Sequence, residues 1–380
     1  MSEVYITKTA SYLPNNPVSN DEMEDYLGLI GERASKSKRI VLRNNGIKNR
    51  FYAMNKDGVP THTNAEMVSL AVRKLVNNDP DLLKEIDLLS CGTSTPDQMM
   101  PSHAVMVHGW LKETNNIEVV SPSGVCCSGM HAFKYAYMAL KLKEATKAVC
   151  SGSERLSRIL HADQFEIEAK KIRDLEDNSY LAFEKDFLRW MLSDGAGAFM
   201  MQSEKNVEGI SLRIDWIDAV SFANEKEPCM YMGSDKLEDG SLKSYMDYSP
   251  EELNQNSILS IKQDVKLLAE NIIKLGFKKL EQSLKERGIG PDDITFFLPH
   301  MSSYFFESKM ADILDEAGLH IPKEKWFTNL DTHGNVGAGS IYLMVDELFN
   351  SGRLKVGDTI LLTVPESSRF SYVFSLLTVC

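Results

Sequence analysis

The sequence has no apolar run near the roughly 20 residues that a membrane-spanning helix needs. It also lacks an excess of positive charge: 42 Lys and Arg stand against 54 Asp and Glu, a formal charge of −12. Affinity for nucleic acid rests on neutralising phosphates, so DNA and RNA are excluded as main partners. The first ten residues, MSEVYITKTA, lack the basic-then-apolar order of a secretory leader. The six cysteines, at 91, 126, 127, 150, 229 and 380, form no CxxC pair and no zinc-ligand spacing. These absences predict a soluble cytoplasmic protein with reduced thiols and no membrane association. With 380 residues, 43% of them hydrophobic, the chain is too large for a disulfide-stapled module and long enough for two domains. The adjacent Cys126-Cys127 pair is the oddity.

What is present is an alternation of short apolar runs, such as Ile86-Leu89, Ala148-Cys150, Phe296-Leu298 and Thr359-Val364, with longer stretches of helical period. The latter include Ala65-Val76, Met130-Lys143 and Val265-Arg287. Such alternation predicts an α/β layered fold. A long-offset repeat refines it. IDLLSCG (86–92) falls on ITFFLPH (294–300) and SPSGVCCSGMHAF (121–133) on NLDTHGNVGAGSI (329–341), both at an offset of 208, which sets Gly92 on His300 and Cys127 on Asn335. The strands that follow end in SGSE (151–154) and VPES (364–367), with Glu154 on Glu366 at an offset of 212. The expectation is a duplicated α/β unit: an N-terminal half over 1–205, holding a charged helical insertion at about 155–190, and a C-terminal half over 206–380. The insertion reads either as a solvated excursion or as a lid, tunnel wall or dimer contact.

Three polar residues fall at equivalent loop ends of the two halves. Cys127 opens a helix, where unpaired N–H groups and the positive end of the dipole favour a thiolate and offer an oxyanion site; the plainer reading is a small buried apolar side chain. His300 ends a buried strand, where it either faces a cavity or is a structural residue. Asn335 sits among glycines that leave room for a ligand, or it caps the helix beginning near Val336. Asp194-Gly-Ala-Gly-Ala198 is a lone GxG, better suited to close strand packing than to nucleotide binding.

Taken together, GVCCSGMHAF, LPHMSSYF and NLDTHGNVGAGS resemble the Cys, His and Asn segments of the β-ketoacyl-acyl carrier protein synthase III family of the thiolase superfamily. TASYLPNNPVSNDEM (9–23), NNGIKNRFY (44–52), IDLLSCGTSTPDQMMPS (86–102), LSDGAGAFMM (192–201) and SGRLKVGDTILL (351–362) fit the same family. The resemblance spans nearly the whole chain, parts of 155–185 and 220–260 excepted. It implies a thiolase-like αβαβα fold and a condensing acyltransferase. It further implies a homodimer, substrates carried as acyl carrier protein or coenzyme A thioesters, and no bound cofactor or metal. Cys127 would accept the acyl group, Cys126 taking a preceding small-residue place, while His300 and Asn335 would donate hydrogen bonds to an enolate on the second thioester.

Two family features are missing. The glycine-rich GGGFxxG loop is replaced by PESSRFSYVF (365–374), and the early tryptophan that stacks on coenzyme A is absent around Tyr26-Leu27-Gly28-Leu29. Glu154, in SGSERLSR, supplies a carboxylate that acts as a base or orients substrate, unless it is a surface ion pair with Arg155 or Arg158. With PESSRF, it makes the chain most similar to the ketosynthase/cyclases of dialkylresorcinol and bacterial stilbene biosynthesis. That resemblance implies condensation of a β-ketoacyl thioester with an α,β-unsaturated acyl thioester, closing a cyclohexanedione ring. The alternatives are an ordinary decarboxylating synthase III of fatty-acid or polyketide initiation, a Cys-dependent thioester hydrolase, or a silent partner subunit. Residues 31–50 carry seven Lys/Arg against one acidic residue. They form either a docking face for an acidic carrier or coenzyme A phosphates, or a solvated loop.

Overall fold

The computed structural model describes residues 3–30, 34–35, 37–165 and 188–380. Most of the expected helical insertion at 155–190 lies outside these residues. The part before it forms two short turns, Ser157–Leu160 and Ala162–Gln164. Among the described residues no helix is long and apolar enough to cross a membrane.

Nine strands form the main sheet: β1 (Tyr5–Tyr12), β2 (Leu88–Thr93), β3 (Glu118–Val120), β4 (Lys147–Glu154), β5 (Gly195–Gln202), β6 (Leu212–Ser221), β7 (Phe296–Pro299), β8 (Thr359–Glu366) and β9 (Ser371–Val379). Their order is β7-β8-β9-β6-β1-β5-β4-β2-β3. In the first half, β2 pairs in parallel with β3 and β4, then β5 and β1 follow antiparallel. In the second half, β7 pairs in parallel with β8, then β9 and β6 follow antiparallel. Even the short edge strand β3 has a counterpart, an isolated parallel bridge from Phe297 to Trp326. The two runs meet where β1 touches β6 through only two residue pairs, Tyr5 with Arg213 and Ile6 with Leu212. The fold is the duplicated α/β arrangement expected, and the 208-residue offset is the spacing between β2 and β7.

Four long helices complete the layers: α1 (Asn64–Leu75), α2 (Cys127–Leu142), α3 (Val265–Glu286) and α4 (Ser340–Asn350). Helix α1 begins with a Thr63/Glu66 capping box and lies on β1 and β5. Helix α3 begins at Asp264, whose side chain accepts from the Leu267 N–H, and lies on β8 and β9. Helices α2 and α4 lie between the two runs, α2 touching β2 and β4 on one side and β8 and β9 on the other, α4 touching β1 and β5 and also β7. Their apolar faces, including Met130, Phe133, Ile341 and Tyr342, form one fully buried cluster with strand residues of both halves. Being covered on both sides explains why none of the first four residues of α2 reaches solvent.

Glycine makes this central layer possible. A side chain at Gly92 would place its Cβ 2.1 Å from the Ser128 carbonyl oxygen of α2, and one at Gly152 would lie 2.1 Å from the Ala338 oxygen ahead of α4. Neither backbone can yield without parting a strand from the helix beside it. The Asp194-Gly-Ala-Gly-Ala run behaves alike: a Cβ at Gly197 would meet that of Tyr342 at 2.4 Å. Asp194 itself is buried and accepts from the backbone N–H groups of Ala53, Leu156 and Ser157 at 2.6–2.8 Å. The run is a packing device.

Candidate functional site

The loops after β2, β4, β7 and β8 and the start of α2 all open toward one place. There lies a cavity of about 840 Å³, counting its open mouth. Its walls are mostly apolar, with Leu192, Ile272, Phe277, Phe306 and Met310 among them, which suits an acyl chain. Polar residues converge from both halves, among them Glu154 and Ser94 from the first and His300, Asn335, Gln263, Ser302 and Ser367 from the second.

His300 follows β7 directly, and its N–H donates to Thr363 O at 2.8 Å, continuing the pairing with β8. The imidazole is 3% exposed, its Nδ1 has no partner among the described residues, and burial pushes its pKa down to about 4. It is therefore neutral at physiological pH and holds one N–H to donate. Asn335 is fixed by its backbone, donating to Met191 O and accepting from Ser193 N–H. Its Oδ1 accepts from the Gly337 N–H at 2.9 Å, which occupies the acceptor end of the carboxamide, while the residue at the N-cap of the turn that follows is Val336. The NH2 end is the one left for a ligand.

Glu154 is no surface ion pair. It is fully buried, while Arg155 pairs with Asp97 at 3.1 Å and Arg158 with Asp163 at 2.7 Å. Its carboxylate accepts from Ser94 N–H and Oγ, Thr95 Oγ1, Thr93 Oγ1 and the Ala338 N–H. Burial nevertheless outweighs these donors and pushes its pKa up to about 7. Through Ala338 it ties the loop after β2 to the Asn335 loop.

Cys127 opens α2, as the sequence suggests, but its surroundings differ from expectation. The thiol is fully buried, donates to Val364 O at 3.3 Å, and stands behind the cavity wall, on which its neighbour Cys126 appears. The helix terminus does not favour a thiolate here. Burial first and the Glu366 carboxylate second raise the Cys127 pKa well above the ordinary thiol value. The N–H groups meant to stabilise negative sulfur are taken: Glu366 Oε2 accepts from Val125 N–H and Cys127 N–H, each at 2.9 Å. Ser368 Oγ donates to the other oxygen at 2.7 Å. Glu366 is the residue that reading the sequence for chemistry passed over, although the 212-residue offset had set it opposite Glu154.

A family model described as the C-terminal part of 3-oxoacyl-[acyl-carrier-protein] synthase III matches residues 284–364, the stretch that carries His300 and Asn335. The chain is 24% identical over 351 residues to a β-ketoacyl-[acyl-carrier-protein] synthase III of Clostridium perfringens, covering 92% of each chain. The chain is a synthase III-like condensing acyltransferase. Solved structures agree on its thiolase fold. The 3-oxoacyl-[acyl-carrier-protein] synthase III of Aquifex aeolicus VF5 superposes with a TM-score of 0.69 at 21% identity over 99% of both chains. AbyA1, a tetronic acid condensing enzyme, does so with 0.73 at 20% identity, again over 99% of both. Against this background the missing glycine-rich loop of the synthase is a local change: β8 ends in Glu366, and a turn through Ser367, Ser368 and Arg369 leads to Phe370, held at φ 59°.

The basic stretch at 31–50 is less of a face than its composition suggests. Residues 31–33 and 36 lie outside the described residues. Arg50 is fully buried and donates to Trp190 O and Asn20 Oδ1, while Lys38 pairs with Glu24 at 3.0 Å and Lys48 with Asp331 at 3.1 Å. Arg39 and Arg43 are exposed.

Proposed function

We propose that the synthase carries a β-ketoacyl group on Cys127 and joins it to an α,β-unsaturated acyl thioester, closing a cyclohexanedione ring. The observation that carries this reading is the replacement of the flexible glycine loop by a turn in which Ser368 holds Glu366 against the N–H groups at the start of α2, with a second buried carboxyl, Glu154, on the cavity wall. A decarboxylating condensation makes its carbanion by losing carbon dioxide and needs no base for that step. A β-ketoacyl thioester must lose a proton, and carboxylates beside the thiol suit such a transfer.

In this scheme Cys127 attacks the donor thioester, its thiol proton leaves with the expelled carrier thiol, and the acyl group it then holds has its chain in the apolar cavity. His300, neutral, and the NH2 of Asn335 donate to the oxygen of the acceptor thioester as negative charge develops there. Glu154, titrating near 7, orients the acceptor or carries a proton for ring closure. Ring closure joins the γ-carbon of the β-ketoacyl group to the acceptor's thioester carbonyl; the proton that carbon gives up leaves with the acceptor's expelled thiol, and water then hydrolyses the ring acid from Cys127 and restores the thiol. Acyl carrier protein or coenzyme A would present both acyl groups, and no bound cofactor is required.

Incubation with a β-ketoacyl thioester, alone and then with an enoyl thioester, tests the scheme by intact mass and product analysis. An acyl adduct lost in Cys127→Ala and kept in Cys126→Ala, followed by ring product from the pair of substrates, is expected. Turnover of a malonyl thioester to a linear β-ketoacyl product would instead identify an ordinary synthase III. Rapid release of free acid would identify a hydrolase, and no adduct from any donor a silent partner subunit.

A further inference from the structure

Glu154 and Glu366 are both buried and both near the two thiols, but they differ in what their donors are for. Glu154 is held by hydroxyls and N–H groups that belong to the walls. Two of the donors on Glu366 are the N–H groups of Val125 and Cys127, at the entry to α2. A thioester on Cys127 places its carbonyl oxygen next to the Cys127 N–H, so acyl group and carboxylate compete for the same donors. Glu366 also supplies the leading electrostatic influence on both Cys126 and Cys127, ahead of any other charged group. A side chain at Gly124 would reach within 3.5 Å of its Oε2, so the absence of one there leaves space beside the carboxylate.

We propose that Glu366 is the base that removes the α-proton of the β-ketoacyl group carried on Cys127, an assignment that rests on the ring-forming reading above. The arriving carbonyl oxygen takes the two N–H donors and frees Oε2, while Ser368 keeps hold of Oε1 and fixes the carboxylate beside the thioester. The α-C–H bond then breaks, its proton passes to Oε2, and its electron pair moves onto the thioester oxygen between Val125 and Cys127. That pair returns to form the bond to the β-carbon of the enoyl thioester. The enolate so made on the acceptor is held by His300 and Asn335 and takes the proton back from Glu366. No other reactant is consumed, and the acceptor's thiol stays attached until the ring closes.

The test is a single turnover of Glu366→Gln and Glu366→Asp beside the wild type, with a β-ketoacyl thioester loaded first and an enoyl-coenzyme A added second. Intact mass distinguishes loaded protein from protein carrying both acyl groups with coenzyme A still attached. In Glu366→Gln the first carbon–carbon bond is expected to slow by roughly 100-fold or more relative to its own loading rate. Glu366→Asp, which keeps the carboxylate and shortens the reach, is expected to fall between the wild type and Glu366→Gln. Equal loss of loading and bond formation in both variants would make Glu366 a cap of α2 and nothing more. Bond formation at the wild-type ratio in Glu366→Gln would likewise overturn the base role, and it alone. Wild-type protein that loads and yields no ring from the pair would overturn the ring-forming reading itself, and the base role with it.

Discussion

Strands β4 and β8 occupy the same place in the two halves of the chain, and each ends in a buried glutamate, 212 residues apart. Past that point they diverge. Glu154 meets a loop rich in hydroxyls, Thr93, Ser94 and Thr95, which fill its lone pairs and fasten two loops together. Glu366 meets the entry of a helix from the other half, and what it accepts from there is backbone N–H that a substrate oxygen can claim. Duplication thus delivers one carboxylate to the cavity wall and the other to the start of α2, and the loops opposite each decide whether its donors are hydroxyls or backbone N–H groups.

The comparison depends on a central layer close enough for each half to reach the other, and Gly92→Ala attacks that closeness most severely. Its Cβ would stand 2.1 Å from backbone with no flexible end to move aside. A loss of at least ~3 kcal/mol, or failure to yield soluble protein, is expected in denaturant unfolding. Wild-type stability in that variant would mean that α2 packs less tightly on β2 than described.

Glu154→Gln separates the two carboxylates by function. It is expected to reduce ring product more than it reduces Cys127 loading, with protein carrying both acyl groups accumulating because the first bond still forms. The effect should be smaller than that of Glu366→Gln. Equal losses in loading and ring formation, or no loss in either, would remove Glu154 from the proton chemistry.

The smallest effect concerns stability against pH and has opposite signs at two walls of the cavity. Burial raises Glu154 from 4.5 to about 7, so the folded chain holds a proton that the unfolded chain releases. Its contribution is complete below pH 4.5 and is lost as pH rises through about 7. Burial lowers His300 from 6.5 to about 4, so the unfolded chain takes a proton that the folded one refuses. Stability from His300 is complete above pH 6.5 and falls as pH drops toward 4. Thermal unfolding across pH 4–8 should show Glu154→Gln removing a fall in stability with rising pH, and His300→Asn removing a rise, both between about pH 4 and 7. A change of slope in the same direction in both variants would contradict the assignment of burial as the common cause.

Much of this was legible before the fold was seen, because a strand buried on both faces writes a short unbroken apolar run and a helix start writes small residues around a turn. Leu88–Thr93, Lys147–Glu154 and Thr359–Glu366 were all visible in that way. The antiparallel strands β1, β6 and β9 were not, since an alternating or mixed strand at the seam between the halves depends on which neighbour covers it. His300, Asn335 and Glu154, which the sequence singles out, all line one cavity. For Cys127, sequence reasoning supplied a helix start and the dipole that goes with it, and could not see a carboxylate 239 residues away already seated on the N–H group.

The sequence by itself therefore determined the layered α/β class, the duplication, and the loop ends at which polar residues gather, because periodicity and spacing are local properties that recur wherever a unit is copied. Only the tertiary structure decided the state of those residues. Burial makes His300 neutral and Glu154 able to titrate near 7, and burial first, with Glu366 at the start of α2 second, reverses the charge preference that the helix end alone would impose on Cys127. Desolvation and competition for donors are set by what the rest of the chain brings within about 3 Å, and that is written in no single segment.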